Sequence, residues 1–322
     1  MVAGVQAQAL EPEVRRVGAE LAAAFPSPAR HPLRALDEKA MEYSARDEAL
    51  RAALFRFVDV VPACRSLDDL AVHLTGYLDE LPSRTPPLEG AMRMAHTRAG
   101  RAALGAAAAA GVKHMAHRFI VGETPRAVTG ELRALWQHGV AMSVDLLGEA
   151  TVTTAEADRY AERCREALEV LANASRDWPV NPRLERDGNG TLPRANVSVK
   201  VSALTPLLRP DAPECGQRDA TPRLLALLRR AAELDAHLHI DMESMDSRDA
   251  VLDLVLATLA EPQLADGPSA GIVLQAYLRD SPQQLDRVLD WAGRTARARP
   301  LVVRLVKGAY WDHEVIEAGQ HG

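Results

Sequence analysis

The sequence predicts an α/β fold, an incomplete TIM barrel of the (β/α)8 type, preceded by an all-helical region. Three observations lead there. Strand-like and helix-like runs alternate after residue 139, the grammar of parallel βαβ units. Each strand-like run is apolar on one face and polar on the other. An open doubly wound sheet would be apolar on both, whereas a barrel lines its ligand-bearing interior with polar groups. Before residue 138 only helical periodicity is present. The expected organisation is a helical arm or docking region over 1–138 and a partial barrel over 139–322.

In the helical region, SLDDLAVHLTGYL opens with Ser66 as its N-cap and repeats apolar residues at Leu67, Leu70, Val72 and Leu74. SARDEALRAALFRFVDVV behaves similarly. RTPPLEG (84–90) reads as a breaker ahead of an alanine-rich helix, and GETPRAVTGELRALWQHG predicts a helix from Thr124–Pro125. No chemical motif falls here.

Bulk properties narrow the class. The chain has 322 residues, 47% of them hydrophobic, enough for more than one structural unit. A net charge of −6 argues against a nucleic-acid surface. Cys64, Cys164 and Cys215 are odd in number and scattered, as suits a reducing cytosol. The first residues mix acids and arginines with alanine and show no secretory signal. The most apolar run, 102–112, falls well short of the roughly 20 residues a bilayer span needs. A soluble, cytoplasmic protein is expected. Of 38 basic residues only Lys39, Lys113, Lys200 and Lys307 are lysines, so a lysine inside an apolar run asks for a chemical reason.

Five strands follow: VAMSVDLLGEA, ANVSVKVSAL, HLHIDMES, GIVLQAYL and LVVRLVKGAY, centred near residues 143, 199, 240, 275 and 304. Between them, SPQQLDRVLDW begins with Ser281 as N-cap, Pro282 in the first turn and Gln284 closing a capping box. DSRDAVLDLVLATL begins on Asp246. Alternation places Ser143 with Asp145; Ser198, Lys200 and Ser202 together; His237, His239, Asp241 and Glu243 together; Gln275 with Tyr277; and Arg304 opposite Val303 and Leu305. A barrel of this type closes with about eight strands. The chain therefore reads as a fragment with about five of them.

HLHIDMES sets two histidines and two acids on one face, as in the zinc sites of metal-dependent barrel hydrolases. Lys200, Gln275 and Arg304 share that interior, and two cations suit a dication poorly. Polar packing serves His237 equally well. Lys200 must face an anion, either a neighbouring Asp145, Asp241 or Glu243 or a substrate carboxylate, and a Schiff-base role is a third option. VVRLVKGAYWDHE places Arg304 inward and Lys307 just past the strand end. Small Gly308–Ala309 and two rings, Tyr310 and Trp311, follow. That set suits a large anionic ligand with a flat ring system. No G-x-G-x-x-G follows a strand, so a Rossmann site is not supported.

DLLGEA, SVKVSAL, HIDMES, VLQAYLRD and VRLVKGAYWDHE, in this order, resemble the proline dehydrogenase barrel of the bifunctional proline utilisation A flavoenzymes over about 140–315. The helical region resembles that family's N-terminal arm and helical domain. The resemblance implies FAD-dependent oxidation of L-proline to Δ1-pyrroline-5-carboxylate, with electrons passed to a membrane quinone. This is the first step from proline to glutamate. It assigns Lys200 to the proline carboxylate, Tyr310 and Ala309 to the substrate, and Arg304 to the flavin N5 region, where it stabilises negative charge on the reduced ring. It assigns Asp241, Met242, Val273, Gln275, Arg304, Val306, Lys307, Gly308, Ala309 and Trp311 to FAD, and no metal. His237, His239 and Glu243 receive no role.

The same resemblance implies an aldehyde dehydrogenase domain as partner in the longer protein, no nucleic acid, and a cytoplasmic protein peripheral to the inner face of the membrane. Homo-oligomers are compatible with it. The family's last three strands, its final barrel helix and a ribbon-helix-helix segment are absent from this chain. Beside this reading stand a metal-dependent barrel hydrolase and a non-catalytic truncated paralogue.

Overall fold

The computed structural model describes residues 2–25, 42, 46–117, 119–148 and 150–321. The chain divides into two compact units, 1–119 and 120–322. In the first, helices span Val2–Ala24, Glu48–Val60, Leu67–Asp79, Pro86–Met94 and Arg98–Ala116. Ser66 caps its helix as expected, accepting the Asp69 N–H at 3.1 Å. Asp47 caps the preceding helix through the Leu50 N–H; the Ser44 of that run lies outside the described residues. Leu50, Ala53, Leu78 and Leu81 form a small core. Of the residues expected on the apolar face, Leu70 is buried and Leu74 half-buried, whereas Leu67 and Val72 are exposed; Ala71 and Leu78 are buried as well. The expected breaker is itself the start of a helix, Pro86–Met94, because prolines fit a first turn whose N–H groups lack partners anyway.

The second unit opens with the helix Pro125–Gln137, capped by Thr124 as expected. Sequence grammar groups it with the arm, yet Val128, Leu132 and Trp136 belong to the core of the 120–322 unit. Among the described residues seven strands follow: β1 Val144–Asp145, β2 Arg186–Asp187, β3 Gly190–Thr191, β4 Asn196–Lys200, β5 His237–Asp241, β6 Ser269–Gln275 and β7 Leu301–Val306. β2 and β3 form a small antiparallel hairpin absent from the sequence reading. The other five make one parallel sheet in the order β1-β4-β5-β6-β7. Helices Thr154–Ser175, Pro213–Glu233, Met245–Leu259 and Ser281–Arg294 connect them, and the expected five-stranded α/β architecture is thereby realised.

Parallel register puts paired residues on one face. Asp145, Ser198, His239, Gly271 and Val302 form one row; Lys200 with Asp241, and Val273 with Arg304, form the next. The opposite face carries Val197, Val199, Leu238, Ile240, Ala270, Ile272 and Leu274, all buried under the helices. The sheet curls strongly: Arg304 of β7 reaches Ser143, just ahead of β1, at 3.1 Å. Among the described residues no helix is long and apolar enough to cross a membrane.

Three local expectations are corrected. β6 ends at Gln275, three residues before the predicted run does. The chain then turns, with the Ala276 and Tyr277 N–H groups bonded to Val306 and Lys307 carbonyls, so Tyr277 lies beyond the strand rather than on its polar face. The next helix takes Asp280, not Ser281, as its cap. Ser281 Oγ donates to the Gln275 carbonyl and the Gln284 amide donates to Asp249, so no capping box forms. The helix predicted to begin on Asp246 starts one residue earlier, because Ser244 caps it by accepting the Asp246 N–H.

Candidate functional site

The polar rows meet in a charge cluster. Lys200 Nζ lies 2.7 Å from Asp145 Oδ2 and 3.4 Å from Asp241 Oδ2. Arg304 donates from Nη1 to Asp241 Oδ1 at 3.1 Å, and from Nη2 to Ser143 Oγ at 3.1 Å and Ser198 Oγ at 3.3 Å. Burial disfavours the Lys200 charge, but the Asp145 hydrogen bond and the charges of Asp145, Asp241 and Glu243 together outweigh it, holding its pKa above the ordinary value. At Asp241 burial wins over the attraction of Lys200 and Arg304, and its pKa is raised. The two acids do not exhaust the donors of the lysine ammonium, which can still accept a further anion.

The polar residues of β5 resolve into two layers. Asp241 joins the charge cluster. His237 Nδ1 meets Ser269 Oγ at 2.8 Å, and its Nε2 meets His239 Nδ1 at 3.1 Å. A side chain at Gly271 would strike the His239 ring, its Cβ falling 2.4 Å from Nδ1, so glycine makes room for the pair. Burial, then the charge of Arg304, pushes His237 down to about 4 and His239 to about 3. Glu243, past the strand end, accepts from Ser202. Among the described residues no group of three or more His, Cys, Asp or Glu is placed to hold a metal ion.

This histidine pair makes acid tolerance predictable. A buried neutral histidine has a folded pKa below its unfolded one, so the unfolded chain binds more protons as pH falls from about 6.5 toward about 4. The stability from keeping His237 and His239 neutral is complete above about 6.5 and is lost through that window, on the order of 3 kcal/mol for His237 alone. Thermal melts across that pH range should shift downward, and His239→Asn should flatten the dependence. Equal slopes in both proteins would refute this origin.

The remaining predicted site residues cluster where β5, β6 and β7 end. Val273 is half-buried beside Arg304. Gln275 is 1% exposed; its Oε1 accepts the Ala309 N–H at 3.4 Å and its Nε2 meets Met242 Sδ at 3.7 Å. Val306 is half-buried, Lys307 and Ala309 are exposed, and Trp311 is 60% exposed at the start of the last helix, Trp311–His321. Tyr310 is half-buried, and burial, then the Glu243 charge, raises its pKa. Asp241 thus joins Lys200 to Arg304; Met242, Gln275 and Ala309 form a second connected group; among the described residues no hydrogen bond or ion pair ties the Tyr310, Lys307 or Trp311 side chains to either.

Gly308 closes this loop. Its φ is 152°, a region that disfavours side chains, and a Cβ would fall 1.9 Å from the Tyr277 ring. The Tyr277 hydroxyl in turn donates to Glu314, and burial, then that hydrogen bond, pushes the phenol up to about 12. Gly308→Ala should displace the ring or the loop and cost roughly 2 kcal/mol or more, read as a lower melting temperature. A wild-type melt would contradict this packing. Sequence reading missed Tyr277 and Glu314 as loop partners, because their meeting depends on where β6 stops. It also missed Tyr160, whose hydroxyl accepts the Lys200 N–H.

The proline dehydrogenase family model matches residues 128–322, and the proline utilization A N-terminal domain model matches 11–119. A curated relative, bifunctional protein PutA of Salmonella typhimurium, is 34% identical over 208 residues, 65% of this chain and 15% of that protein. Proline dehydrogenase 1 of Bacillus subtilis strain 168 is 26% identical over 204 residues, covering 63% of this chain and 55% of that protein. The crystal structure of proline utilization A from Bdellovibrio bacteriovorus, inactivated by N-propargylglycine, superposes with a TM-score of 0.76. It shares 32% identity and covers 88% of this chain and 27% of that one. The chain thus spans 15% of the length of the bifunctional relative.

Proposed function

Because the chain belongs to the proline dehydrogenase family, we propose that it forms part of an FAD-dependent enzyme oxidising L-proline to Δ1-pyrroline-5-carboxylate. The observation that supports this most is the Lys200–Asp241–Arg304 cluster inside a curled parallel sheet, with the exposed Lys307–Trp311 loop at the strand ends. FAD, when bound, supplies the two-electron acceptor. The residues present fit such a group. Arg304 and Lys307 offer positive charge toward an anionic ligand, Gly308 and Ala309 leave the backbone accessible, and Val273, Val306 and Trp311 offer apolar surface for a flat ring.

In this reading Asp241, Met242, Val273, Gln275, Arg304, Val306, Lys307, Gly308, Ala309 and Trp311 hold the flavin. Lys200, Ala309 and Tyr310 hold proline. Lys200 orients the substrate by its carboxylate, and Asp145 and Asp241 keep that lysine charged and in place. Tyr310 presents a ring to the pyrrolidine and stays neutral, its proton retained by the raised pKa. Arg304, fixed by three side-chain acceptors, keeps a positive charge where negative charge develops during oxidation. Electrons would leave to a membrane quinone, which makes this a cytoplasmic protein meeting the inner face of the membrane. An aldehyde dehydrogenase domain in the longer protein would take the product on toward glutamate.

Refolding or co-expression with FAD tests the reading. A yellow protein whose flavin bleaches anaerobically with L-proline is the expected result. Stoichiometric zinc without flavin absorbance would instead favour a metal-dependent hydrolase, and neither group with full folding would favour a non-catalytic chain.

A further inference from the structure

Tyr160 lies on the helix Thr154–Ser175 with 4% of its surface exposed, and its hydroxyl accepts the backbone N–H of Lys200 at 3.1 Å. That amide needs a partner. β1 pairs with β4 only as far as Asp145 and Ser198, so at Lys200 the strand has outrun its neighbour on that side. Immediately afterwards the backbone leaves the strand for a short 3-10 turn over Val201–Ala203. The hydroxyl stands in for the missing strand at the residue where β4 stops.

The phenol is a dependable acceptor. Its neighbour one helical turn on, the thiol of Cys164, is itself fully buried. Burial raises the pKa of both groups, the thiol to about 12, so neither ionises near neutrality. A neutral phenol can accept from an amide, and no charge enters the apolar layer between helix and sheet.

We propose that Tyr160 is a positioning residue of the site: by accepting the Lys200 N–H it fixes where β4 ends, and so holds the Lys200 ammonium between Asp145 and Asp241. The proposal rests on Lys200 as the carboxylate-binding group, but its test needs neither flavin nor proline. With few lysines in the chain, acylation by acetic anhydride can be followed at each by peptide mass spectrometry, as a function of pH. Tyr160→Phe keeps the ring and removes the acceptor. Lys200 should then acylate ~5-fold faster below its pKa, matching the loss of one ordinary buried hydrogen bond. The midpoint of its pH profile should fall toward that of an ordinary lysine. Lys113 and Lys307 should be unchanged, and Cys164→Ala, which disturbs the same packing layer but leaves the phenol oxygen, should label like wild type.

An unchanged Lys200 rate and midpoint in Tyr160→Phe would overturn the proposal. So would an acceleration shared by Lys113 or reproduced by Cys164→Ala, since either marks general loosening rather than positioning. Flavin content is read separately: a chain that labels as expected and never binds FAD would defeat the functional reading and leave the Tyr160 role standing.

Discussion

Asp241→Ala should lower the melting temperature by about 6–12 °C, the shift expected when roughly 3 kcal/mol is lost from a domain of this size. Among the described residues Asp241 is the only acid bonded to both interior cations. Its side chain is 17% exposed, and that of Lys200 only 13%. Without it, Arg304 keeps only hydroxyl partners in Ser143 and Ser198, and Lys200 retains only Asp145 in direct contact. The loss falls at the low end of the cost of orphaning a buried charge, because the Arg304 side chain is 36% exposed and water can partly replace the carboxylate. Asp241→Asn, which keeps the shape and one acceptor, should lose less. Calorimetry decides: equal melts for wild type and Asp241→Ala would mean that solvent already carries these charges.

Arg304→Met should slow the reduction of bound flavin by proline by ~100-fold, the usual loss when one preorganised charge-stabilising group is removed. Methionine fills much of the arginine stem, so the strand and its register with β6 should survive. Anaerobic stopped-flow on the flavin band measures the effect directly. A wild-type rate with retained flavin would remove Arg304 from the chemistry and leave it a structural partner of Asp241. The two variants also separate causes. Arg304→Met should affect rate more than stability, and Asp241→Ala should affect both.

Alternation alone showed that Lys200, Asp241 and Arg304 face the interior, because a two-residue period converts sequence position into side-chain direction without knowledge of the fold. The order of strands also followed from the βαβ grammar. What alternation could not supply was distance around the barrel. Nothing in the sequence relates Ser143 to Arg304, 161 residues away, until the sheet curls. Strand ends were equally hidden. Tyr277 continues the alternating pattern of GIVLQAYL, yet the chain turns after Gln275 and the ring packs on Gly308 instead. Tyr160 escaped notice for a related reason: on a helix face bearing Ala157, Cys164, Ala167 and Leu168 it looks like apolar filling, and only its hydroxyl makes it more.

The span of the charge cluster also orders its assembly in time. Lys200 finds Asp145 across 55 residues and Asp241 across 41, whereas the Arg304–Ser143 contact closes a loop of 161. During synthesis from the N-terminus, both carboxylates and the lysine emerge well before the arginine. Until β7 docks, Asp145 and Asp241 share one cation, and the surplus negative charge must stay hydrated. Arg304 is thus the late counterion of the cluster, arriving on β7, the strand at the end of the sheet.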